Sequence, residues 1–150
     1  MGGRPLATAA VAAAAISWRA PKDYSVLAFS RDVVAAKSQD AWQPPEEVVD
    51  ALLSLRGFGT TDLAGGLRAA WFQLLRSSAR RRVCILLSDC RATEPGDVVA
   101  AAGAHDELVI IAPDGDSDEA QALAERVGAR WSTISSPTDA PAAIARALDR

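Results

Sequence analysis

Two near-continuous apolar runs, "RVCILLSD" and "ELVIIAPD", constrain the fold of this chain more than any other feature. Such runs are typical of strands covered on both faces, because a half-exposed strand alternates apolar and polar residues. A helical pattern, "EPGDVVAAAGA", lies between the two runs. Parallel strands need crossover helices of this kind, so the sequence predicts an α/β domain with a parallel sheet.

The rest of the chain continues the alternation of helices and strands. A helix is predicted over residues 5–18, and "DYSVLAFS" and "VVAAK" then form a hairpin. Amphipathic helices follow in "PEEVVDALLSL", which ends near Gly57 and Gly59, and in "TDLAGGLRAAWFQLLRSSA". The last three segments, "SDEAQALAERVGA", "RWSTI" and "SPTDAPAAIARALD", predict helix, strand and helix. We therefore expect a Rossmann-like, doubly wound, mostly parallel sheet with helices on both faces.

Length, charge and cysteine content narrow the class of protein. A chain of 150 residues fits one domain, and a net charge of -3 gives no electrostatic reason to expect nucleic acid or a membrane as partner. Cys84 and Cys90 would lie roughly 20 Å apart along an extended strand, too far for a disulfide. With a single histidine, an ordinary zinc site is also excluded. These features favour the reducing cytoplasm.

The N-terminal segment "MGGRPLATAAVAAAAISW" has some features of a secretory signal. Its apolar stretch is mostly alanine, however, and is too short to span a bilayer. We therefore favour a helix of the domain core. The basic run "SSARRRV" precedes a strand at the end of a helix, where cations complement the helix dipole.

Polar residues are expected together at the carboxyl ends of the strands, where ligands of parallel sheets bind. Thr60, Thr61 and Asp62 in "GFGTTDLAGGL" begin a helix, and Asp89 ends the strand "VCILLSD". Each feature has a structural explanation, because Thr and Asp cap helices and Asp is common in turns. Together they suggest a site for a hard cation such as Mg²⁺, which prefers oxygen ligands.

The segments "GFGTTDLAGGL" and "ILLSDCRAT" resemble the second and third elements of the metal-ion-dependent adhesion site of von Willebrand factor type A (VWA) domains. The resemblance covers nearly the whole chain and is closest to the bacterial intracellular, CoxE-like and MoxR-associated branch. It implies that Thr61 and Asp89 are metal ligands, and that Thr60 and Asp62 are neighbours that could serve instead. It also implies a VWA-like fold.

The first element of that site, a D-x-S-x-S stretch at the end of the first central strand, is absent from this sequence. We therefore expect residues 1–150 to form a single VWA-like domain that lacks this strand, through either a misplaced start or degeneration. The strands around Val26 to Phe29 and Cys84 to Leu87 should then either pair directly or leave the central slot empty. Mg²⁺ binding should be weak or lost.

The resemblance implies a non-enzymatic protein-interaction module whose ion accepts a carboxylate from a protein partner. It also implies that this module works with a MoxR-type AAA+ ATPase in the maturation of protein complexes. A metal-free VWA-like scaffold is one alternative. Another is a small Rossmann-like enzyme that binds a phosphate at the "GFGTTDLAGG" loop. That loop fits no standard phosphate motif, and His105, the only histidine, is expected on the rim opposite Asp89.

Overall fold

The computed structural model describes residues 4–55, 61–92 and 96–149. Helices and strands alternate in the predicted order, whereas Gly57 and Gly59, the predicted end of the second helix, lie outside the described residues. None of the helices in the described ranges is long and apolar enough to cross a membrane. The elements are α1 (Arg4–Arg19), β1 (Val26–Phe29), β2 (Val33–Lys37), α2 (Pro45–Leu53), α3 (Leu63–Leu74), β3 (Val83–Leu87), α4 (Val98–Gly103), β4 (Glu107–Pro113), α5 (Asp118–Val127), β5 (Arg130–Ile134), a 3-10 turn (Pro137–Asp139) and α6 (Ala140–Leu148).

The strands form two separate sheets. One is the antiparallel hairpin β1–β2, and the other is the parallel sheet β3–β4–β5 with β4 in the centre. Strand β4 alternates between two apolar clusters, because Leu108 and Ile110 pack with α3 while Val109 and Ile111 pack with α6. This doubly wound arrangement confirms the predicted fold class.

Strand β3 departs from its apolar pattern, which predicted a strand covered on both faces. Val83, Ile85 and Leu87 are only half-buried, although their neighbours Cys84 and Leu86 are buried. The reason is that β3 is an edge strand among the described residues, where β4 is its one hydrogen-bonded neighbour. In the described ranges no backbone hydrogen bond joins the hairpin to the parallel sheet. Of the two arrangements expected for these strands, direct pairing is thus not seen among the described residues.

Helix α1 holds the two sheets together on one face. Its consecutive residues Ala12 and Ala13 belong to different apolar clusters. Ala12 packs in the cluster of the parallel sheet, which contains Val109 and Ile144, whereas Ala13 packs in the cluster of the hairpin and α2. The alanine-rich segment is thus a core helix.

Helix α3 holds the sheets together on the opposite face. Leu63 and Leu67 are buried in the cluster that contains Leu86 of β3. Gly66 lies against the hairpin, because a Cβ atom placed there would be 2.7 Å from Cγ of Phe29 in β1. The close approach of α3 to β1 therefore requires glycine at this position.

We predict that Gly66→Ala lowers the free energy of unfolding by about 1–3 kcal/mol, because the added methyl group must displace the Phe29 ring. The matched control is Gly103→Ala, since a Cβ atom at this helical glycine meets nothing within 4 Å. The control should cost nothing or stabilise by up to about 1 kcal/mol. Urea denaturation of both variants gives the comparison, and equal effects would contradict this account of the α3–β1 contact.

Candidate metal centre

Two loops meet at the carboxyl end of the strands. The N–H group of Asp62 donates to the carbonyl of Ser30, which directly follows β1, at 2.7 Å. The loop after β3 returns to the same place, because a Cβ atom on Gly96 would lie 2.9 Å from Cβ of Ala64 in the first turn of α3. The segments that carry Thr61, Asp62 and Asp89 therefore share one rim, whereas Thr60 lies outside the described residues.

Asp62 is the N-cap of α3. Its Oδ1 accepts a hydrogen bond from the Gly65 N–H group at 2.9 Å. A side chain at Gly65 would collide with this carboxylate, at 2.3 Å from Oδ2, so glycine is required here too. The structure thus supports the capping interpretation of Asp62, whose carboxylate is already engaged with the helix.

Asp89 lies in a tight turn after β3. Its Oδ1 accepts the N–H group of Arg91 at 3.0 Å, and Oγ of Ser88 accepts the N–H group of Cys90 at 2.9 Å. Cys90 has a left-handed backbone with φ of 61°, which these two hydrogen bonds help to hold. The half-buried Asp89 therefore uses one carboxylate oxygen to shape its own loop.

Arg91 is a cation at this rim that pairs with an aspartate. Its Nε and Nη2 both donate to Oδ1 of Asp116, at 2.9 and 2.6 Å. These hydrogen bonds hold the pKa of Asp116 below its ordinary value, and the pKa of Arg91 is raised by the same contact and by the charges of Asp89 and Glu119. Burial raises the pKa of the neighbouring Cys90 to about 11, so this side chain stays a neutral thiol.

The described oxygen atoms at this rim do not make up a complete set of metal ligands. Thr61 and Asp89 are half-buried at this rim, while Asp62 caps α3 and Asp116 binds Arg91. Within the described part of the chain, no group of three or more His, Cys, Asp or Glu residues could hold a metal ion. A cation at this rim would therefore need oxygen ligands beyond those of the described side chains. The metal-binding roles of Thr61 and Asp89 stay predictions.

His105 lies at the other end of the sheet, as predicted. It precedes β4, whereas Asp89 follows the parallel strand β3. Its Nε2 is 2.9 Å from the carbonyl oxygen of Leu67, its ring packs edge-on against Trp71, and burial lowers its pKa. His105 is thus part of the packing of α3 and cannot form an acid–base pair with Asp89.

The basic run also has a structural role. Arg82 donates from Nε to the carbonyl of Leu74 at 3.0 Å and from Nη2 to the carbonyl of Ser77 at 2.8 Å. These carbonyls lie at and just beyond the end of α3, where a helix leaves acceptors without helical partners. The Leu74 carbonyl also accepts the Ser77 N–H group at 3.0 Å. Arg82, at the end of the basic run, therefore lies beside the end of a helix.

Sequence reasoning missed the pair formed by Arg91 and Asp116. Both residues lie in loops that follow neighbouring parallel strands, β3 and β4. The strand-end rule that selected Asp89 could therefore also have selected Asp116, which follows the strand "ELVIIAP" by three residues.

Comparison with solved structures identifies the fold. Over 95% of this chain, the structure matches proximal thread matrix protein 1 (PTMP1) from the mussel byssus, with a TM-score of 0.66 and 12% sequence identity. The PTMP1 structure with a zinc-occupied MIDAS motif matches over 85% of the chain, with a TM-score of 0.59 and 13% identity. At this identity the likeness establishes the fold alone, which is VWA-like.

The chain corresponds to less than half of these proteins, since it covers 42% and 35% of the two matched chains. No protein-family model matches the sequence. No curated protein matches it either.

We predict that Arg91→Met raises the pKa of Asp116 toward the ordinary value of about 3.9, because the hydrogen bonds that stabilise the carboxylate are lost. Asp116 has a lowered pKa in the folded chain, so its contribution to stability is present above the unfolded pKa and is lost as the pH falls. NMR titration of the Asp116 carboxyl carbon measures the shift. Arg126→Met, which changes an arginine at the far end of α5, is the control and should leave it unchanged. An unaltered Asp116 pKa in Arg91→Met would refute the pairing.

Proposed function

We propose that this chain is a non-enzymatic protein-interaction module of the VWA type, with a partial metal-ion-dependent adhesion site at the carboxyl rim. Thr61 and Asp89 are its proposed protein ligands and Mg²⁺ its proposed ion. An acidic residue of a protein partner would complete the coordination. The observation that supports this best is that the first turn of α3 and the loop after β3 meet at one rim of a VWA-like fold.

The chemistry of the rim agrees with a role in binding. Mg²⁺ held by few carboxylates keeps much of its charge, and it would supply an open position for a carboxylate oxygen from outside. The chain itself would contribute the positioned hydroxyl of Thr61 and one oxygen of Asp89. Two other carboxylates at the rim are engaged, Asp62 with α3 and Asp116 with Arg91. The partner's acid would add a further ligand to Thr61 and Asp89.

The experiment that tests this proposal must also determine which metal ion binds. Mg²⁺ follows from the oxygen-only donor set, while a zinc-occupied MIDAS motif is described for PTMP1. Both ions are therefore useful probes. A MoxR-type AAA+ ATPase as partner, and the cytoplasm as location, rest on the sequence resemblance of "GFGTTDLAGGL" and "ILLSDCRAT".

Two observations weigh against a phosphate-binding enzyme at the same loop. The carboxylate of Asp62 lies at the N-terminus of α3, where a phosphate would meet a negative charge. The N–H groups of Gly65 and Gly66 already donate to the side chain and carbonyl of Asp62. A phosphate cradle built on these groups would first have to displace the cap.

We predict millimolar affinity for Mg²⁺, about 4 kcal/mol, because only one hydroxyl and one carboxylate are offered to an ion that dehydrates reluctantly. Titration calorimetry with Mg²⁺, and separately with Zn²⁺, measures it. Asp89→Ala should abolish the binding of either ion.

The matched control is Asp97→Ala. Asp97 caps α4 through the Ala100 N–H group at 2.9 Å, so its loss weakens a helix without touching the proposed ligands. Metal affinity should survive in this variant. Absence of binding with both ions would favour the metal-free scaffold, and binding that persists in Asp89→Ala would refute the assigned ligand.

A further inference from the structure

The outer surface of α3 combines arginines with exposed apolar side chains. Residues spaced by four, seven and eight positions lie on one side of a helix, and this side of α3 and its C-terminal end carries Arg68, Phe72, Leu75 and Arg76. All four are exposed, Phe72 by 64% and Leu75 by 50%. Helix α3 contains no acidic residue. We call this surface the basic face, because it places an apolar centre between two positive charges.

The charge of the basic face is largely unmatched within its own chain. Nη1 of Arg76 lies 3.4 Å from Oδ1 of Asp40, in a long and exposed pair of the kind that contributes little. Among the described residues no ion pair involves Arg68. Trp42 follows Asp40 by two residues and is 68% exposed, so it adds an aromatic ring beside this contact. The basic face therefore suits an acidic partner with an apolar residue at its centre.

The outer surface of α2 has the same helical spacing and the opposite charge. Glu46, Asp50 and Leu53 are spaced by four and seven positions, and Glu47 lies beside them. All four are exposed, Leu53 by 49%. In the part of the chain that the structure describes, none of these three carboxylates forms an ion pair. We call this surface the acidic face, and it has the composition that the basic face lacks.

A single chain cannot bring its own two faces together. Val48 and Leu52 of α2 pack in the cluster that contains Ala13 of α1, so the acidic face points outward on the α1 side of the fold. Helix α3 packs across the opposite side, through Leu63 and Leu67. Because the two outer faces point away from each other, each can meet its complement only on another molecule.

We propose that the acidic face of α2 in one copy of this chain docks on the basic face of α3 in a second copy. Carboxylates and arginines pair at the edge of the contact, and Leu53 packs against Phe72 and Leu75 at its centre. The contact is head-to-tail, since the two faces lie on different surfaces of the chain, and it repeats into rings or short chains. This inference concerns outer helix surfaces and is independent of the proposed metal site.

The size and charge of the two faces determine how strong this self-association is. Helices of 9 and 12 residues bury less than the about 1,200–2,000 Å² of a stable complex, so the association is weak. Salt screens exposed ion pairs, and the association should therefore also weaken as ionic strength rises. Oligomers are expected at high protein concentration and low salt.

Sedimentation velocity of the full chain, with charge-reversed variants, tests the proposal. From about 10 μM to about 1 mM protein in low salt, the average mass of the unmodified chain should rise above that of one copy. Arg68→Glu/Arg76→Glu and Glu46→Arg/Asp50→Arg should each stay monomeric, because like charges then oppose. An equimolar mixture of the two variants should associate again, because the unaltered acidic face of one meets the unaltered basic face of the other.

The matched control is Arg126→Glu/Arg146→Glu, which makes the same change of charge at exposed residues of α5 and α6 and should still associate. Circular dichroism checks that every variant is folded. An unmodified chain that is monomeric at every concentration would overturn the proposal and leave both faces to a different protein. Association that about 500 mM NaCl does not weaken, that persists in either reversed variant, or that mixing fails to restore would overturn it as well.

Discussion

The packing of α3 across two unconnected sheets is the constraint on which the rest of the structure depends. No backbone hydrogen bonds link the hairpin to the parallel sheet in the described residues, so side-chain packing sets their relative position. Leu63 and Leu67 bind α3 to the parallel sheet, and Gly66 allows contact with Phe29 of the hairpin. The hydrogen bond from the Asp62 N–H group to the Ser30 carbonyl then fixes where α3 begins. The geometry of the carboxyl rim follows from these contacts.

Aspartate residues at the carboxyl rim can serve two purposes. A carboxylate at the start of a helix or the end of a strand can stabilise the backbone or bind a cation, and both uses need the same exposed oxygen atoms. In this chain Asp62 is committed to the helix, whereas Asp89 commits one oxygen to its turn. In the proposed metal site, Asp89 would therefore serve both the turn and the ion.

Much of the fold could be predicted from the sequence, because the local spacing of apolar residues in β4 and in the amphipathic helices indicates which side chains are buried. The run "ELVIIAP" is buried almost throughout, as its composition indicates. The similar run in β3 is only partly buried, because a local pattern reports which residues suit a covered strand and does not report whether a neighbour is present. The site was less accessible to prediction. Sequence alone could not separate cap from ligand at Asp62, and the bond between Arg91 and Asp116 joins loops that are distant in sequence.

The proposed metal site at the carboxyl rim is the central claim, and paramagnetic relaxation by Mn²⁺ tests it most directly. Mn²⁺ accepts the same oxygen ligands as Mg²⁺ and broadens the NMR signals of nearby nuclei. In the isotope-labelled chain, substoichiometric Mn²⁺ should first broaden the amide signals of Thr61, Asp62 and the Ser88–Cys90 turn, and Mg²⁺ in excess should restore them. Broadening centred on Asp106 and Glu107 at the amino rim, or uniform broadening without a centre, would contradict the account.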